Sequence, residues 1–306
     1  MQKLSIVIPI YNEEKNIPEL YRRLKNVLKS ITTKYEIIFV DDGSHDKSFS
    51  ALKKLRIHDK KVKIIHFSRN FGHMPALSAG LSASTGNKVV VMDADLQDPP
   101  EIISKMHKLT MEGYDVIYGV KIGRKESALK RLLFLSFYRI LNSISSYKMP
   151  LDAGTFSMID HRVVKVLNAL PERNKYFSGM RAWAGFKQTS IIYKRGARAA
   201  GSPKTFAKLL ELATNGLISF SYLPLRFASI FGFICAGLSF MGIVAVLILR
   251  AFFGLGIVGW ASTMSAILLV GGIQLITTGI IGEYLARIYD EVKGRPEYII
   301  EEKIGF

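Results

Sequence analysis

Short, nearly continuous apolar runs recur through the first part of the chain, at Leu4 to Ile10, Glu36 to Val40, Val62 to Phe67, Lys88 to Met92 and Asp115 to Tyr118, separated by segments of amphipathic helical spacing. Runs without polar alternation are strands covered on both faces, so the pattern predicts an α/β fold with a mainly parallel sheet between helices. Polar residues gather where each run stops: Tyr11-Asn12-Glu13-Glu14, Asp41-Asp42-Gly43-Ser44, Ser68-Arg69-Asn70 and Asp93-Ala94-Asp95. Ligands of such sheets bind beyond the carboxyl ends of the strands, which sends four loops to one crevice. Pro99-Pro100 suits a helix start, where a missing N–H costs little.

From about Ser127 to Ser221 the pattern turns more helical and basic, with Lys121, Arg124, Lys125, Lys130 and Arg131 close together and Arg195, Arg198, Lys204 and Lys208 further on. Leu209, Leu210, Leu212, Leu217, Ile218 and Phe220 recur near helical spacing, the pattern of an interfacial helix lying on a bilayer. Phe227 to Leu249 then runs without a charge, as does Trp260 to Gly282. Roughly 23 residues at about 1.5 Å each reach about 34 Å, enough for a hydrocarbon core of about 30 Å, so both are read as spanning helices. The expected organisation is a globular domain over 1–202, an interfacial helical region over 203–225, a two-helix transmembrane hairpin over 226–284 and a tail over 285–306.

Arg226, Arg287, Lys293 and Arg295 flank the outer ends of that hairpin while its connecting loop opens with Arg250 alone, which places both chain ends and the globular domain in the cytoplasm. No secretory signal is expected, because Met1-Gln2-Lys3 leads straight into the first strand. The net charge of +17 fits nucleic acid or an anionic membrane surface, and a chain anchored in a bilayer favours the membrane over nucleic acid. The single cysteine, Cys235, falls inside the first span as a small packing residue. Gln274, Thr277 and Thr278 of the second span are read as interhelical hydrogen-bonding groups, with Gly271, Gly272 and Gly279 at a spacing that suits self-association.

The most chemical motif is Asp93-Ala94-Asp95-Leu96-Gln97-Asp98-Pro99-Pro100. Carboxylates at i and i+2 of a strand end reach one hard cation together, and Mg²⁺ or Mn²⁺ accepts them while keeping positions for diphosphate oxygens. Asp41 and Asp42 form a second acidic pair, which reads either as a turn, with Gly43 at positive φ and Ser44 or Asp46 as a cap, or as acceptors for a nucleobase or ribose. No glycine fingerprint of a dinucleotide oxidoreductase follows the first strand, where Pro9-Ile10-Tyr11-Asn12 stands.

Ser5 to Glu14, Val40-Asp41-Asp42-Gly43-Ser44, Ser68-Arg69-Asn70-Phe71-Gly72 and the Asp93 to Pro100 motif together resemble family 2 glycosyltransferases of the GT-A fold, more narrowly the polyprenyl-phosphate glycosyltransferases such as dolichol-phosphate mannose synthases and bactoprenol glucosyltransferases. Leu170-Pro171-Glu172-Arg173, Leu223-Pro224-Leu225 and Gly282-Glu283-Tyr284-Leu285 extend the resemblance over nearly the whole chain. It implies that Asp93, Asp95 and Gln97 hold the metal and diphosphate, and that Pro9, Tyr11, Glu13 and Asp41 hold the nucleoside. Arg124, Arg131, Arg198 and Lys204 fall in its phosphate-binding segments. Bacterial relatives commonly carry Gly-Asp-Phe-Arg where this chain has Gly154-Thr155-Phe156-Ser157, so a base and one phosphate ligand are not carried over; Asp152 nearby reads as an exposed loop residue. The implied activity is inverting transfer of a hexose from a UDP- or GDP-sugar to polyprenyl phosphate at the cytoplasmic face. A processive polysaccharide synthase is the enzymatic alternative, although its QxxRW motif is absent; a membrane scaffold without turnover is the other, encouraged by Thr155 and Ser157.

Overall fold

The computed structural model describes residues 3–122, 153–172, 175–194, 223–253 and 259–306. These divide into two compact units, 1–203 with 295–306, and 204–294. In the first, β1 (Leu4–Ile10), α1 (Ile17–Ile31), β2 (Tyr35–Asp41), α2 (Ser48–His58), β3 (Val62–Phe67), α3 (His73–Ala83), β4 (Lys88–Val91) and α4 (Ile102–Met111) alternate as the apolar pattern predicts. After them come β5 (Val116–Ile122), β6 (Ala153–Asp160), α5 (His161–Ala169), α6 (Phe177–Trp183) and β7 (Gln188–Lys194). The described residues of the stretch expected to be helical thus include two strands, because β7 alternates half-exposed positions and carries little apolar signal.

β1 to β4 are mutually parallel in the order β4-β1-β2-β3, with β6 antiparallel between β4 and β5, and β7 parallel to β5. Ile6, Ile8 and Ile10 face one core with Leu20, Leu24 and Met106, whereas Val7 faces the other with Leu77, Val164 and Met180. Both faces are therefore buried, which accounts for the unbroken apolar runs. Strand pairing between β1 and β4 stops at Val7↔Val91, while β1 stays paired to β2 as far as Ile10↔Asp41. The chain leaves β1 towards β2 and returns to it through β4, so this divergence is the switch point at which such sheets bind ligands.

The C-terminal residues do not trail from the helices as a tail. Ile300–Ile304 forms β8, antiparallel to β3 through pairs that include Ile64↔Ile304 and His66↔Glu302, and closes that edge of the sheet. In the second unit, α7 (Leu223–Phe253) and α8 (Trp260–Val292) are helices of 31 and 33 residues that lie against each other. Among the described residues Leu269–Val292 is long and apolar enough to cross a membrane, and Ala228–Gly242 is apolar but shorter. The hydroxyls of Thr277 and Thr278 donate to Ile273 O and Gln274 O of their own helix.

At the amino end of the sheet Glu36 is 2% exposed and accepts from Ser5 Oγ at 2.6 Å, the Thr85 amide at 2.9 Å and Lys3 Nζ at 2.9 Å, with Lys63 Nζ at 2.8 Å. Burial penalises the carboxylate, but Lys63, Ser5, the Thr85 amide and Lys3 together hold its pKa down at about 2. A carboxyl depressed in the folded state stabilises fully above its unfolded pKa, and that contribution is lost as pH falls from 4.5 through about 2. Glu36→Gln should therefore lower stability at pH 7 by about 3 kcal/mol. Unfolding followed across pH should show the gap to wild type closing in that acid window; a gap constant with pH would refute the assignment.

Candidate active site

Each loop at the carboxyl edge is tied to the next. Asn12, at φ 56°, takes a left-handed conformation in which its amide donates to Ser44 Oγ at 3.0 Å and its Oδ1 accepts from the His45 amide at 2.9 Å. The Glu13 amide donates to Ser48 Oγ at 2.8 Å, and Glu14 Oε2 accepts from the Lys47 amide at 3.0 Å. Pro9 is buried on β1 beside Val40, Tyr11 stays 43% exposed with its ring edge-on to His45, and the Glu13 side chain accepts from Asn16. The four positions expected to hold a nucleoside, Pro9, Tyr11, Glu13 and Asp41, thus lie on β1 and β2 and the loops that follow them.

The two adjacent aspartates divide their work. Asp41 is fully buried, accepts from the Ser44 hydroxyl and amide through Oδ1, and meets His66 Nδ1 at 2.6 Å through Oδ2; Phe49 stacks on that imidazole at 3.9 Å. Asp42 reaches across to the next loop, where Oδ1 takes the Phe71 amide at 2.7 Å and Oδ2 the Gly72 amide at 2.9 Å. Burial raises the pKa of Asp42, and these amides oppose the rise. Both expected nucleoside carboxylates are engaged within the fold, Asp41 with Ser44 and His66 and Asp42 with the 68–72 loop. Gly43 makes the approach possible: its φ is +64°, and a Cβ there would come within 2.4 Å of Arg69 C and 2.7 Å of Asn70 N.

Gly72, at φ +105°, then opens α3 with His73, whose Nε2 lies 3.5 Å from Asp93 Oδ1. Thr155 Oγ1 donates to the same Asp93 oxygen at 3.3 Å from the start of β6. Desolvation pushes the Asp93 pKa up, and the neighbouring carboxylates of Asp98 and Asp95 push the same way, against His73 and Lys121. Asp95 accepts the Gln97 amide at 3.1 Å across a turn in which Leu96 takes φ 61°, and Gln97 is buried. Asp98, fully buried, is held by Lys121 Nζ at 2.9 Å and by the Tyr193 hydroxyl.

Two carboxylates on one turn, Asp93 and Asp95, form a donor set that suits a hard divalent cation, with diphosphate oxygens completing the shell. Among the described residues no cluster of three or more His, Cys, Asp or Glu side chains comes together to hold an ion unaided. Arg124, Arg131, Arg198 and Lys204, expected to bind phosphate, lie outside the described residues. His73 was not legible as a site residue; it adjoins the Ser68 to Gly72 motif, which is the one signal that points to it.

The family profile described as Glycosyl transferase family 2 matches residues 5–167. An uncharacterised glycosyltransferase of Bacillus subtilis (strain 168), YkcC, is 44% identical over 98% of this chain and 94% of its own. The SfII prophage-derived bactoprenol glucosyl transferase of Shigella flexneri is 38% identical, with 98% of each chain covered. A prophage bactoprenol glucosyl transferase homolog of Escherichia coli (strain K12) is 36% identical, again over 98% of both.

The interlock of loops can be tested at its tightest point. Gly43→Ala forces a left-handed alanine, costing about 1–2 kcal/mol, and drives a methyl into the Arg69 backbone. Thermal unfolding should show a loss of at least that size. A variant as stable as wild type would mean that the two loops part without consequence.

Proposed function

The chain belongs to glycosyl transferase family 2, and from that premise we propose that it moves a hexose, glucose or a close relative, from a UDP- or GDP-sugar to polyprenyl phosphate at the cytoplasmic face of a membrane. The observation that carries this reading is the acidic turn of Asp93 and Asp95 beside the divergence of β1 and β4, in a chain that matches a bactoprenol glucosyl transferase end to end.

On this reading Asp41, oriented by Ser44 and His66, accepts from the nucleoside, and Tyr11 offers its exposed ring to the base. Asp93 and Asp95, supported by Gln97, hold Mg²⁺ or Mn²⁺, which when bound neutralises the departing diphosphate. Arg124, Arg131, Arg198 and Lys204 bind phosphate groups, Arg198 and Lys204 that of the lipid. The acceptor phosphate has a second pKa near 6 and arrives as a dianion, so no base need take a proton from it. One of its oxygens bonds to the anomeric carbon as the bond to the diphosphate oxygen breaks, with inversion, and the electron pair leaves on the diphosphate. The Thr155 hydroxyl, which donates to Asp93, supports that carboxylate.

Two spans fit this setting. Apolar side chains point outward along both helices, with Phe233 at 80%, Phe240 at 68% and Leu275 at 75% exposure, as lipid-facing positions require. Because β8 follows α8 and pairs with β3, the sheet that precedes the helices and residues 295–306 that follow them belong to one folded unit. Both must lie on one side of any membrane, which calls for an even number of crossings. Lengths of 31 and 33 residues, about 46 Å and about 50 Å, suffice for one crossing each.

Incubating purified protein with a panel of nucleotide-sugars and polyprenyl phosphate should yield a polyprenyl-phosphate hexose with one of them. Asp95→Asn, which keeps size and removes charge, should lower turnover about a hundredfold to a thousandfold while leaving membrane insertion unchanged. No transfer with any sugar, or an unimpaired Asp95→Asn, would refute the reading.

Topology is checked with Cys235→Ala as background. A cysteine placed at Gly259 should react with an impermeant thiol reagent from outside the cell, and one placed at Phe306 should not. Reaction at Phe306 would exclude the two-span hairpin.

A further inference from the structure

Arg181, on α6, is the largest fully buried side chain among the described residues. Its Nη1 donates to Gly154 O at 3.2 Å, a carbonyl that also accepts from Ser178 Oγ at 3.1 Å. The guanidinium lies over Tyr118 at 4.9 Å and near Phe177 at 5.7 Å. Burial lowers its pKa to about 10, which still leaves it charged at neutral pH. No carboxylate among the described residues pairs with it, and Nε and Nη2 have no hydrogen-bond partner. Those two nitrogens share the edge of the guanidinium that grips both oxygens of an oxyanion; Arg22 and Arg23 present it to Glu19 and Glu101. A buried cation with that edge free is costly unless an anion completes it.

Arg181 is buried and is tied to the site through the Gly154 carbonyl. Gly154 adjoins Thr155, which is bonded to Asp93, and a methyl at Gly154 would meet Lys121 Cε at 3.6 Å from another direction. Ser157 pairs in register with Tyr118, the ring over which Arg181 lies, and is itself fully buried. A side chain as large as arginine at position 157 would compete with Arg181 for the space beside that ring.

We propose that Arg181 is an anion-binding residue of this site, its Nε and Nη2 taking two oxygens of a substrate phosphate at the Gly154–Thr155 turn. The phosphate is that of the lipid acceptor or belongs to the diphosphate of the donor; this deepens, and rests on, the transfer reading above.

The test compares full-length wild type with Arg181→Met, which refills the pocket without charge, and Arg181→Lys, which keeps the charge and loses the fork. Thermal unfolding is recorded with and without inorganic phosphate and pyrophosphate, and KM is measured for each substrate with the other saturating. Arg181→Met should unfold no lower than wild type and lose the stabilisation by anion. It should also show a KM raised about tenfold or more for one substrate, which identifies the source of the phosphate. Arg181→Lys should fall between, and it carries the comparison should the methionine variant fail to fold. Equal response of wild type and variants to both anions, including no response in any, overturns the proposal, as does a lowered unfolding temperature with both KM values unchanged. Should wild type transfer no sugar at all, the function reading falls, and the anion response still decides the role of Arg181.

Discussion

A single carboxylate, that of Asp42, holds the crevice in register. By accepting the amides of Phe71 and Gly72 it fixes where α3 begins, and α3 begins with His73, which faces Asp93. Asp93 in turn carries Thr155, whose neighbour Gly154 accepts from Ser178 and Arg181. Five elements, β2, α3, β4, β6 and α6, are thus joined by a chain of polar contacts that starts from one buried acid. The arrangement works because Gly43 lets two backbones touch, and because the two amides offset part of what burial costs the carboxylate. Its opposite pole is Glu36, where two lysines, a serine and a threonine close the amino end of the sheet and leave the carboxyl end for chemistry.

The sequence showed most of this frame, for physical reasons that differ between its parts. β1 to β4 were legible because strands covered on both faces must be apolar throughout, and the polar residues after them stood out by contrast. Gly43 was legible as a turn at positive φ, although nothing in the sequence said that Arg69 would be what it touches. β8 was not legible. Its sequence, Ile-Glu-Glu-Lys-Ile, is that of an exposed edge strand, where charge guards against pairing with other chains and erases the apolar signal. Arg181 was hidden for a different reason. An arginine on a short helix reads as solvated, and only the packing of Tyr118, Phe177 and Gly154 around it reverses that reading.

The return of β8 to β3 also constrains the region between. A segment that leaves and re-enters one folded unit can cross a membrane only an even number of times, and this holds however apolar either helix is. The hydropathy of α7 and α8 is uneven, with one stretch long enough by itself.

Position 155 shows how charge sets the chemistry that the crevice can support. Asp93 is already disfavoured as an anion by burial and by Asp98 and Asp95, and a further carboxylate at the turn would deepen that field. For an acceptor that must lose a proton, an acid there has a use. For a phosphate that arrives as a dianion it is chiefly a repulsion, acting where the partly dry crevice screens least. Threonine removes the charge and keeps a donor, which it gives to Asp93. A buried guanidinium reaches the adjacent carbonyl from α6. A hydroxyl in place of a carboxylate makes the turn more hospitable to an anionic nucleophile, so Thr155 and Ser157 are compatible with turnover as long as the acceptor brings its own charge.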